Sequence, residues 1–234
     1  MTTANATNTS WAQTGTFADT ISWVTPPVAH AAAFVCVSVF DGSVSSITDN
    51  QGNTFTAVGS KVNVDVSCYI YYCADIGAAP TGTYTVTVNI SAAGFHAGSA
   101  FGFWISNPGA GTILDKQGNA SGTATSATVT CSGANAQAAE VVVAILVADN
   151  SPAPAGISDP ATTGYTTFGV EQDAGTYIGG QASFKVLAAT ETSSAHWTWT
   201  NSGAWAAYIA TFKLAGGGGG TPIAVLASNY YQSH

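Results

Sequence analysis

Few side chains in this sequence have the acid, base or nucleophilic chemistry that catalysis uses. The 234 residues include four Lys, no Arg and twelve Asp or Glu, which gives a formal net charge of −8. The histidines are widely separated, and no G-x-S-x-G or H-E-x-x-H pattern accompanies them: His30, His96, His196 and His234. Nucleophilic and zinc-dependent catalysis both need such groups at defined spacings. We therefore predict that the chain is not an enzyme and uses no cofactor or catalytic metal.

Two acidic segments come closest to a chemical site. Glu171 and Asp173 would share one face of an extended strand, as the paired carboxylates of a glycoside hydrolase do, but they adjoin a Gly/Asp turn that favours a solvated loop. Residues 49–53, DNQGN, concentrate oxygen ligands that suit Ca²⁺. The same residue types are typical of a hairpin turn that needs no metal. A turn is the preferred interpretation of residues 49–53, and weak calcium binding is the alternative.

Aromatic side chains are the remaining residues with a binding chemistry. Trp197 and Trp199 would share one face of a strand, and His196 lies on the opposite face. Exposed indole rings can stack on sugar rings, whereas most aromatic residues in a β-sandwich belong to its core. Core packing is the favoured interpretation. The alternative is a glycan platform of His196, Trp197 and Trp199 that binds a polysaccharide of a host surface.

Charge and hydropathy exclude two further classes of partner. With four Lys and no Arg, the chain has little with which to displace the counterions of a phosphate backbone, so we expect no nucleic-acid binding. The longest nearly apolar stretch, AAEVVVAILVA, has about half of the ~20 residues that a membrane-spanning helix needs and contains Glu140. The first residues, MTTANATNTSWAQTGTF, lack the basic and apolar regions of a secretory signal. We expect synthesis in the cytoplasm and no membrane span.

The four cysteines are predicted to be buried free thiols. Cys68 and Cys73 are five residues apart in one β-like run, which places them on opposite faces of a strand, where they cannot bridge each other. Cys36 and Cys131 stand alone, and no C-x-x-C spacing suggests zinc or thioredoxin-like chemistry.

The composition and an internal repeat predict an all-β fold. Hydroxylated and β-branched residues dominate, 46% of the chain is apolar, and no long segment has helical periodicity. The two halves match each other in the order of their segments. The first half contains AAAFVCVSVFDG and VSSITDNQGNTFTAVG, and the second half contains the corresponding AAEVVVAILVADN and GISDPATTGYTTFG. In the same way, the first half continues with TYTVTVNISAAGFHAGSAFGFWIS and the second with HWTWTNSGAWAAYIATFKLA. About six strands per half are predicted: Phe17–Val24, Ala31–Phe40, Thr54–Val58, Val64–Ala74, Thr83–Ile90, Ala100–Ser106, Ala124–Cys131, Glu140–Ala148, Tyr165–Val170, Gly180–Ala188, His196–Thr200 and Trp205–Leu214.

The predicted fold class is a single large antiparallel β-sandwich of about twelve strands with an internal pseudo-twofold duplication. The alternative is two immunoglobulin-like sandwiches in tandem, which the absence of a polar linker near residues 107–122 disfavours. The predicted domain organisation is an N-terminal arm of residues 1–10, the duplicated domain of residues 11–215, a glycine linker of residues 216–220 and a C-terminal interaction tail of residues 221–234.

The tail, TPIAVLASNYYQSH, combines an apolar run with paired tyrosines after five glycines. An apolar segment on a flexible joint usually needs a partner surface. The predicted contact residues are Ile223, Val225, Leu226, Tyr230 and Tyr231.

Three motifs resemble β-sandwich modules of tailed-phage virion proteins and of some bacterial surface proteins: VSSITDNQGNTFTAVG, YIYYCADIGAAPTGTYTVTVNIS and HWTWTNSGAWAAYIATFKL. The resemblance covers residues 11–215 and implies a structural protein of the virion, with no catalytic motif to transfer. Together with the charge-poor composition, it leads us to expect a capsid decoration protein, a homo-oligomer that binds the major capsid protein or other virion proteins. A head or tail fibre subunit and a module that binds surface carbohydrate are the alternatives.

Overall fold

The computed structural model describes residues 3–5, 9–23, 25–149, 156–158, 164–172 and 178–215. These residues form antiparallel β-strands and connecting turns, with no helix among them. The all-β prediction is therefore confirmed. The strands are β1 Thr3–Asn5, β2 Thr9–Thr14, β3 Phe17–Trp23, β4 Ala32–Phe40, β5 Ser43–Asp49, β6 Thr56–Asn63, β7 Val66–Cys73, β8 Tyr84–Ser91, β9 Phe95–Ile105, β10 Leu114–Thr130, β11 Glu140–Asp149, β12 Thr166–Gln172, β13 Ile178–Leu187 and β14 Ser194–Lys213.

The strands form three sheets. Sheet I has the order β1-β9-β4-β7-β6, with β2 also paired to β9. Sheet II has the order β10-β14-β11-β13-β12, and sheet III has the order β3-β8-β5. All the pairings are antiparallel.

Sheet I is covered on both faces, which explains why its central strand β4 is apolar at almost every position. Phe34 and Cys36 of β4 pack in a core shared with sheet II, whereas Val35 and Val37 pack against sheet III. A strand of an antiparallel sheet alternates its side chains between the two faces, so burial on both sides requires a continuous apolar run. Strand β11 is apolar on both faces in the same way. Strands β4 and β11 are accordingly central in their sheets.

The outer face of sheet II is covered by the ends of its own longest strands. Residues 126–130 of β10 pair with residues 194–198 of β14, and we call this paired segment the outer ribbon. Ala127, Val129 and Trp197 of the outer ribbon share a core with Leu146 of β11 and Ile209 of β14. A register shift between Ala124 and Ser126 marks the bend that brings the ribbon back over the sheet. The molecule therefore has four layers, in the order sheet III, sheet I, sheet II and outer ribbon.

The two halves of the chain repeat one topology, as the sequence comparison predicts. Strands β9, β4, β7 and β6 occupy the same order in sheet I as β14, β11, β13 and β12 occupy in sheet II. Strand β8 pairs with β3 and β5, and residues 194–200 take its place in the second half. There Ser158 takes a position like that of β5, since its amide donates to the Thr198 carbonyl at 2.8 Å and its hydroxyl accepts from the Thr198 amide at 2.8 Å.

The large sheets of the two halves pack face to face around one shared core, so the molecule combines features of both predicted architectures. Each half has its own second layer, as a small sandwich would, but sheets I and II bury a continuous apolar cluster between them. Glycines allow close approach at several points of this interface. A Cβ on Gly169 of sheet II would lie 2.1 Å from a ring carbon of Phe101 in sheet I, and a Cβ on Gly59 of sheet I would lie 2.2 Å from the Tyr208 hydroxyl of sheet II.

The strand bounds differ from the prediction in several places. Residues 196–200 and 205–214, predicted as two strands, belong to the continuous strand β14, and β10 begins ten residues before the predicted strand at Ala124. Strand β5 was not predicted. The polar sequence SVSSITD contributes only Val44 and Ile47 to the core, so its apolar signal is weak. Strands β1 and β2 both pair with β9, so part of the predicted N-terminal arm belongs to sheet I.

Candidate functional site

The predicted glycan platform is not exposed, and this interpretation is corrected. Trp197 is fully buried and Trp199 is 6% exposed, and both pack in the core between sheet II and the outer ribbon. Alternation along β14 sends His196 outward, where its Nδ1 lies 2.8 Å from the Thr128 hydroxyl. The folding back of the ribbon decides this burial. The preferred interpretation, core packing, is correct for both tryptophans.

One open depression of about 400 Å³ lies where the ends of β4, β7, β9 and β14 meet. Small residues line much of it, namely Ala29, Ala74, Pro108, Gly109, Ala110, Gly111 and Ala215. An exposed pair, His30 and Asp75, forms its polar part, with His30 Nδ1 3.2 Å from Asp75 Oδ1. The Gly77 amide, and then His30, donate hydrogen bonds to Asp75 and lower the pKa of its carboxyl.

The His30–Asp75 pair has part of what a general base needs. A carboxylate that accepts from one imidazole nitrogen orients the other nitrogen for proton transfer or ligation. None of the described residues that line the depression is Ser, Thr or Cys, so no lining hydroxyl or thiol stands ready as a nucleophile. The depression therefore supports binding of a small group better than catalysis. The two residues are 45 positions apart in the sequence, and their pairing depends on the β4–β7 register.

The DNQGN turn is organised by hydrogen bonds to Asp49. Oδ1 of Asp49 accepts from the amides of Gln51 and Asn53 at 3.1 and 2.8 Å. Oδ2 accepts from Asn53 Nδ2 and from the Tyr84 hydroxyl, both at 2.6 Å. Burial, together with the hydrogen bond to Asp49, raises the pKa of Tyr84. The carboxylate is thus engaged as the anchor of a hairpin turn, which supports the preferred interpretation of these residues.

A buried carboxyl lies at the corner where β10, β11 and β14 meet. Glu140 is fully buried and accepts from the Gln137 amide at 3.3 Å. Burial raises the pKa of its carboxyl, and the neighbouring Asp115 raises it further. Gln137 ties the same corner to the end of β14, since its Nε2 donates to the Leu214 carbonyl at 2.9 Å. Burial therefore makes ionisation of Glu140 less favourable in the folded protein than in the unfolded chain.

The four cysteines are free and buried, as predicted. Cys68 faces the core between sheets I and II, and Cys73 faces the core between sheets I and III, so the predicted opposite orientation is confirmed. Burial raises the pKa of Cys68 and of Cys131 to about 12, so neither carries the thiolate of a reactive cysteine. Across the described ranges, no group of three or more His, Cys, Asp or Glu side chains is placed to hold a metal ion. The same residues contain no helix that could span a membrane.

The outward faces of the two outermost layers carry hydroxyl and amide groups. On sheet III the outward side chains of neighbouring strands lie side by side, with Thr20 Oγ1 3.4 Å from Thr87 Oγ1 and Asn89 Nδ2 donating to Ser46 Oγ at 3.0 Å. On the outer ribbon the Thr130 hydroxyl donates to Ser194 at 3.0 Å. No Asp, Glu or Lys lies among the outward residues of either face: Ala18, Thr20, Ser22, Ser46, Thr48, Thr85, Thr87 and Asn89 on sheet III, and Ser126, Thr128, Thr130, Ser194, His196, Thr198 and Thr200 on the ribbon.

Several predicted residues lie outside the part of the chain that the structure describes. These include the tail residues Ile223, Val225, Leu226, Tyr230 and Tyr231, together with Asp173 of the acidic pair. The tail therefore stays a prediction.

Comparison with known proteins provides no relative for this chain: no family model, no curated protein and no solved structure matches it.

The His30–Asp75 depression and the Glu140 corner were not predicted from the sequence. An acidic residue at the start of the apolar run EVVVAILVA was a usable signal for the Glu140 corner, since a charge beside a central strand must be neutralised or paired. No comparable local signal marks the His30–Asp75 depression.

Proposed function

We propose that this protein is a structural component of a virion that works by packing against other protein surfaces. The observation that carries the proposal is the pair of outward faces on sheet III and the outer ribbon, which lie on opposite sides of the four-layer molecule. Hydroxyl and amide groups both donate and accept hydrogen bonds. Because such a face carries no Asp, Glu or Lys, a partner that covers it removes none of these charged side chains from water and avoids that desolvation cost. Two such faces on opposite sides suit a protein that has neighbours on both sides.

The chemistry of the described residues supports a structural role in preference to catalysis. The acids Asp49 and Glu140 are engaged in holding the fold, and the cysteines have raised pKa values. Within the structural class, the resemblance of residues 11–215 to virion β-sandwich modules supports a capsid decoration protein. A head or tail fibre subunit is the neighbouring alternative. The predicted binding of the tail to the major capsid protein is part of the same proposal.

The test is the mass of the assembly in which the natural chain occurs. Sedimentation of the native source material should place the protein in a particle of megadalton size. Deleting residues 216–234 should release the protein from that particle while its circular dichroism and unfolding midpoint stay unchanged. A chain that sediments alone at all stages would refute a particle role, and full retention of the truncated chain would refute the role of the tail.

A further inference from the structure

Two carboxyl groups meet in the corner where β10, β11 and β14 come together, and we call them the acid pair. Glu140 is fully buried, and the side chain of Asp115 is only 7% exposed. Burial raises the pKa of Glu140, and Asp115 raises it further through its charge and through a hydrogen bond between the two side chains. Such a bond requires a proton on one of the two carboxyl groups. At a pH where the pair holds one proton, that proton lies on Glu140, because burial disfavours its charged form.

The hydrogen bonds of Glu140 also suit a protonated side chain. Its Oε1 accepts from the Gln137 amide at 3.3 Å, whereas its Oε2 is buried and accepts no hydrogen bond from the residues that the structure describes. A protonated Oε2 can donate to Asp115, but an ionised Oε2 would be a buried acceptor without a donor, which costs free energy. The nearby Thr211 hydroxyl offsets part of this cost, since it lowers the pKa of Glu140.

Titratable groups lie around the acid pair on the elements packed against it: Lys116 on β10, Lys213 on β14, Lys185 on β13, Cys131 beside the outer ribbon, Tyr165 before β12 and Glu191 before β14. Burial raises the pKa values of the thiol and the phenol, so both stay neutral where carboxyl groups titrate. Lys116 already lies 3.5 Å from Asp115, and Lys185 pairs with Glu191 at 2.8 Å. Lys213, opposite Glu140 in the strand register, is half-exposed, so its charge would offset only part of a second negative charge.

The acid pair holds the segment of residues 136–139, which precedes β11. Oδ2 of Asp115 accepts from the Ala136 amide at 2.6 Å. Oε1 of Glu140 accepts from the Gln137 amide. The two carboxyl groups therefore fix successive amides of one segment, and the distance between the carboxyl groups controls where that segment lies.

The segment of residues 136–139 in turn holds the end of the described domain. Gln137 Nε2 donates to the Leu214 carbonyl at 2.9 Å, and the Leu214 amide donates to the Ala139 carbonyl at 3.0 Å. Only Ala215 stands between Leu214 and the glycine run of residues 216–220. The acid pair is thus connected, through one short segment, to the point where the chain leaves the domain.

We propose that the acid pair is a pH-sensitive latch, which fixes residues 136–139 and Leu214 while it keeps its shared proton and loosens them when that proton is lost to water. Two carboxylates would then face each other in a buried corner, and their separation relieves both the repulsion and the desolvation. Rising pH therefore favours the open corner. This inference goes beyond the proposed structural role and does not depend on it.

The pH dependence of the latch follows from the release of one proton. In the closed corner the pKa of Glu140 is raised, and in the open corner it returns towards the ordinary value of about 4.3. Between these two values, each pH unit should make opening up to about tenfold more favourable. Above the pKa of the closed corner, opening should no longer depend on pH.

The test is amide hydrogen exchange of the full-length chain, followed by NMR from pH 4 to 8 and corrected for the intrinsic exchange rate. Protection of the Ala136, Gln137 and Leu214 amides should fall about tenfold or more as the pH rises. The Gly109 amide is the internal control, because it donates to the Lys213 carbonyl at 2.9 Å from outside the latched segment. Its protection should stay the same across the pH range.

Three variants separate the acid pair from other carboxyl groups. Glu140→Gln keeps the size and an acceptor oxygen of the side chain but cannot titrate, so protection of residues 136–139 should become independent of pH. Asp115→Asn should remove most of the pH dependence, because an amide at this position carries no charge and can donate to an ionised Glu140. Glu191→Gln is the matched control, since this carboxyl lies nearby but pairs with Lys185, and it should keep the pH dependence of the wild type.

Circular dichroism identifies any variant that does not fold, and the remaining acid-pair variant then decides the result. Wild-type pH dependence in a folded acid-pair variant would overturn the proposal. Constant protection of Ala136 and Gln137 in the wild type from pH 4 to 8 would overturn it as well. A parallel loss of protection at Gly109 would show that the whole end of the domain opens, which contradicts a local latch.

Discussion

Gly169→Ala is expected to destabilise the protein by separating its two large sheets. The added Cβ would lie 2.1, 2.5 and 2.9 Å from Cδ1, Cγ and Cβ of Phe101, where carbon atoms normally approach to about 3.5–4.0 Å. Phe101 is fully buried, so its ring has little room for another χ1 rotamer, and its Cβ cannot move without its backbone. Relief therefore requires a shift of β12 or β9. Overpacking of this kind costs about 1–3 kcal/mol.

The measurement is unfolding in urea followed by tryptophan fluorescence, with thermal unfolding as a second readout. A loss of about 1–3 kcal/mol corresponds to a fall in Tm of about 2–12 °C for a chain of this length. Gly94→Ala is the matched control, because a Cβ at Gly94 meets nothing within 4 Å, and it should change stability by less than about 0.5 kcal/mol.

A double-mutant cycle isolates the contact between the sheets. If the ring of Phe101 causes the cost, Gly169→Ala should cost less in a Phe101→Ala background than in the wild type, with a coupling of about 1 kcal/mol or more. Equal costs in both backgrounds, or a Gly169→Ala chain as stable as the Gly94→Ala control, would refute the close packing of sheets I and II.

Three further predictions concern buried polar groups and aromatic residues. The pKa of Glu140 is higher in the folded than in the unfolded state, so the stability linked to this carboxyl is fully present below its unfolded-state pKa and is lost as the pH rises through its folded-state pKa. Glu140→Gln should flatten this loss in urea midpoints measured from pH 4 to 8. The same slope in the variant and the wild type would contradict the prediction. Trp197→Ala should cost about 3–5 kcal/mol in the same assay, whereas His196→Ala should cost under about 1 kcal/mol, and equal costs would contradict the burial of the indole. Tyr84→Phe removes the hydroxyl that donates to Asp49 and should lower the free energy of unfolding by about 1–3 kcal/mol. Calcium should not raise the thermal unfolding midpoint of either chain. A rise in the wild type alone would support a metal site at residues 49–53.

The periodicity of short segments was sufficient to predict most of the strands that have one or two buried faces. In β8 the outward positions Thr85, Thr87 and Asn89 alternate with fully buried residues, and the structure confirms this alternation. A strand with two buried faces needs an apolar run, and a strand with one buried face needs alternation, so these patterns are local properties of the sequence. The matching order of such patterns in the two halves was enough to predict the duplication.

The bending of β10 and β14 was not predictable in the same way. The first part of β10, DKQGNASGT, is polar and rich in small residues, so it resembles a loop, and the strand forms there because β14 supplies partners along its length. The fate of Trp197 and Trp199 depends on this bend. The sequence places them on one face of a strand, but only the return of the ribbon over sheet II determines that this face is covered.

The sequence by itself determined the all-β class, the duplication, the central strands and the free, buried state of the cysteines, because each follows from side-chain periodicity or spacing along one strand. The tertiary structure decided how the two halves meet, which aromatic residues are buried, and which distant groups become neighbours, such as His30 with Asp75 and Asn63 with Trp205. Those results depend on strand register and on the packing of separate layers. Both arise from contacts between residues far apart in the chain, for which no local pattern of residues gives a signal.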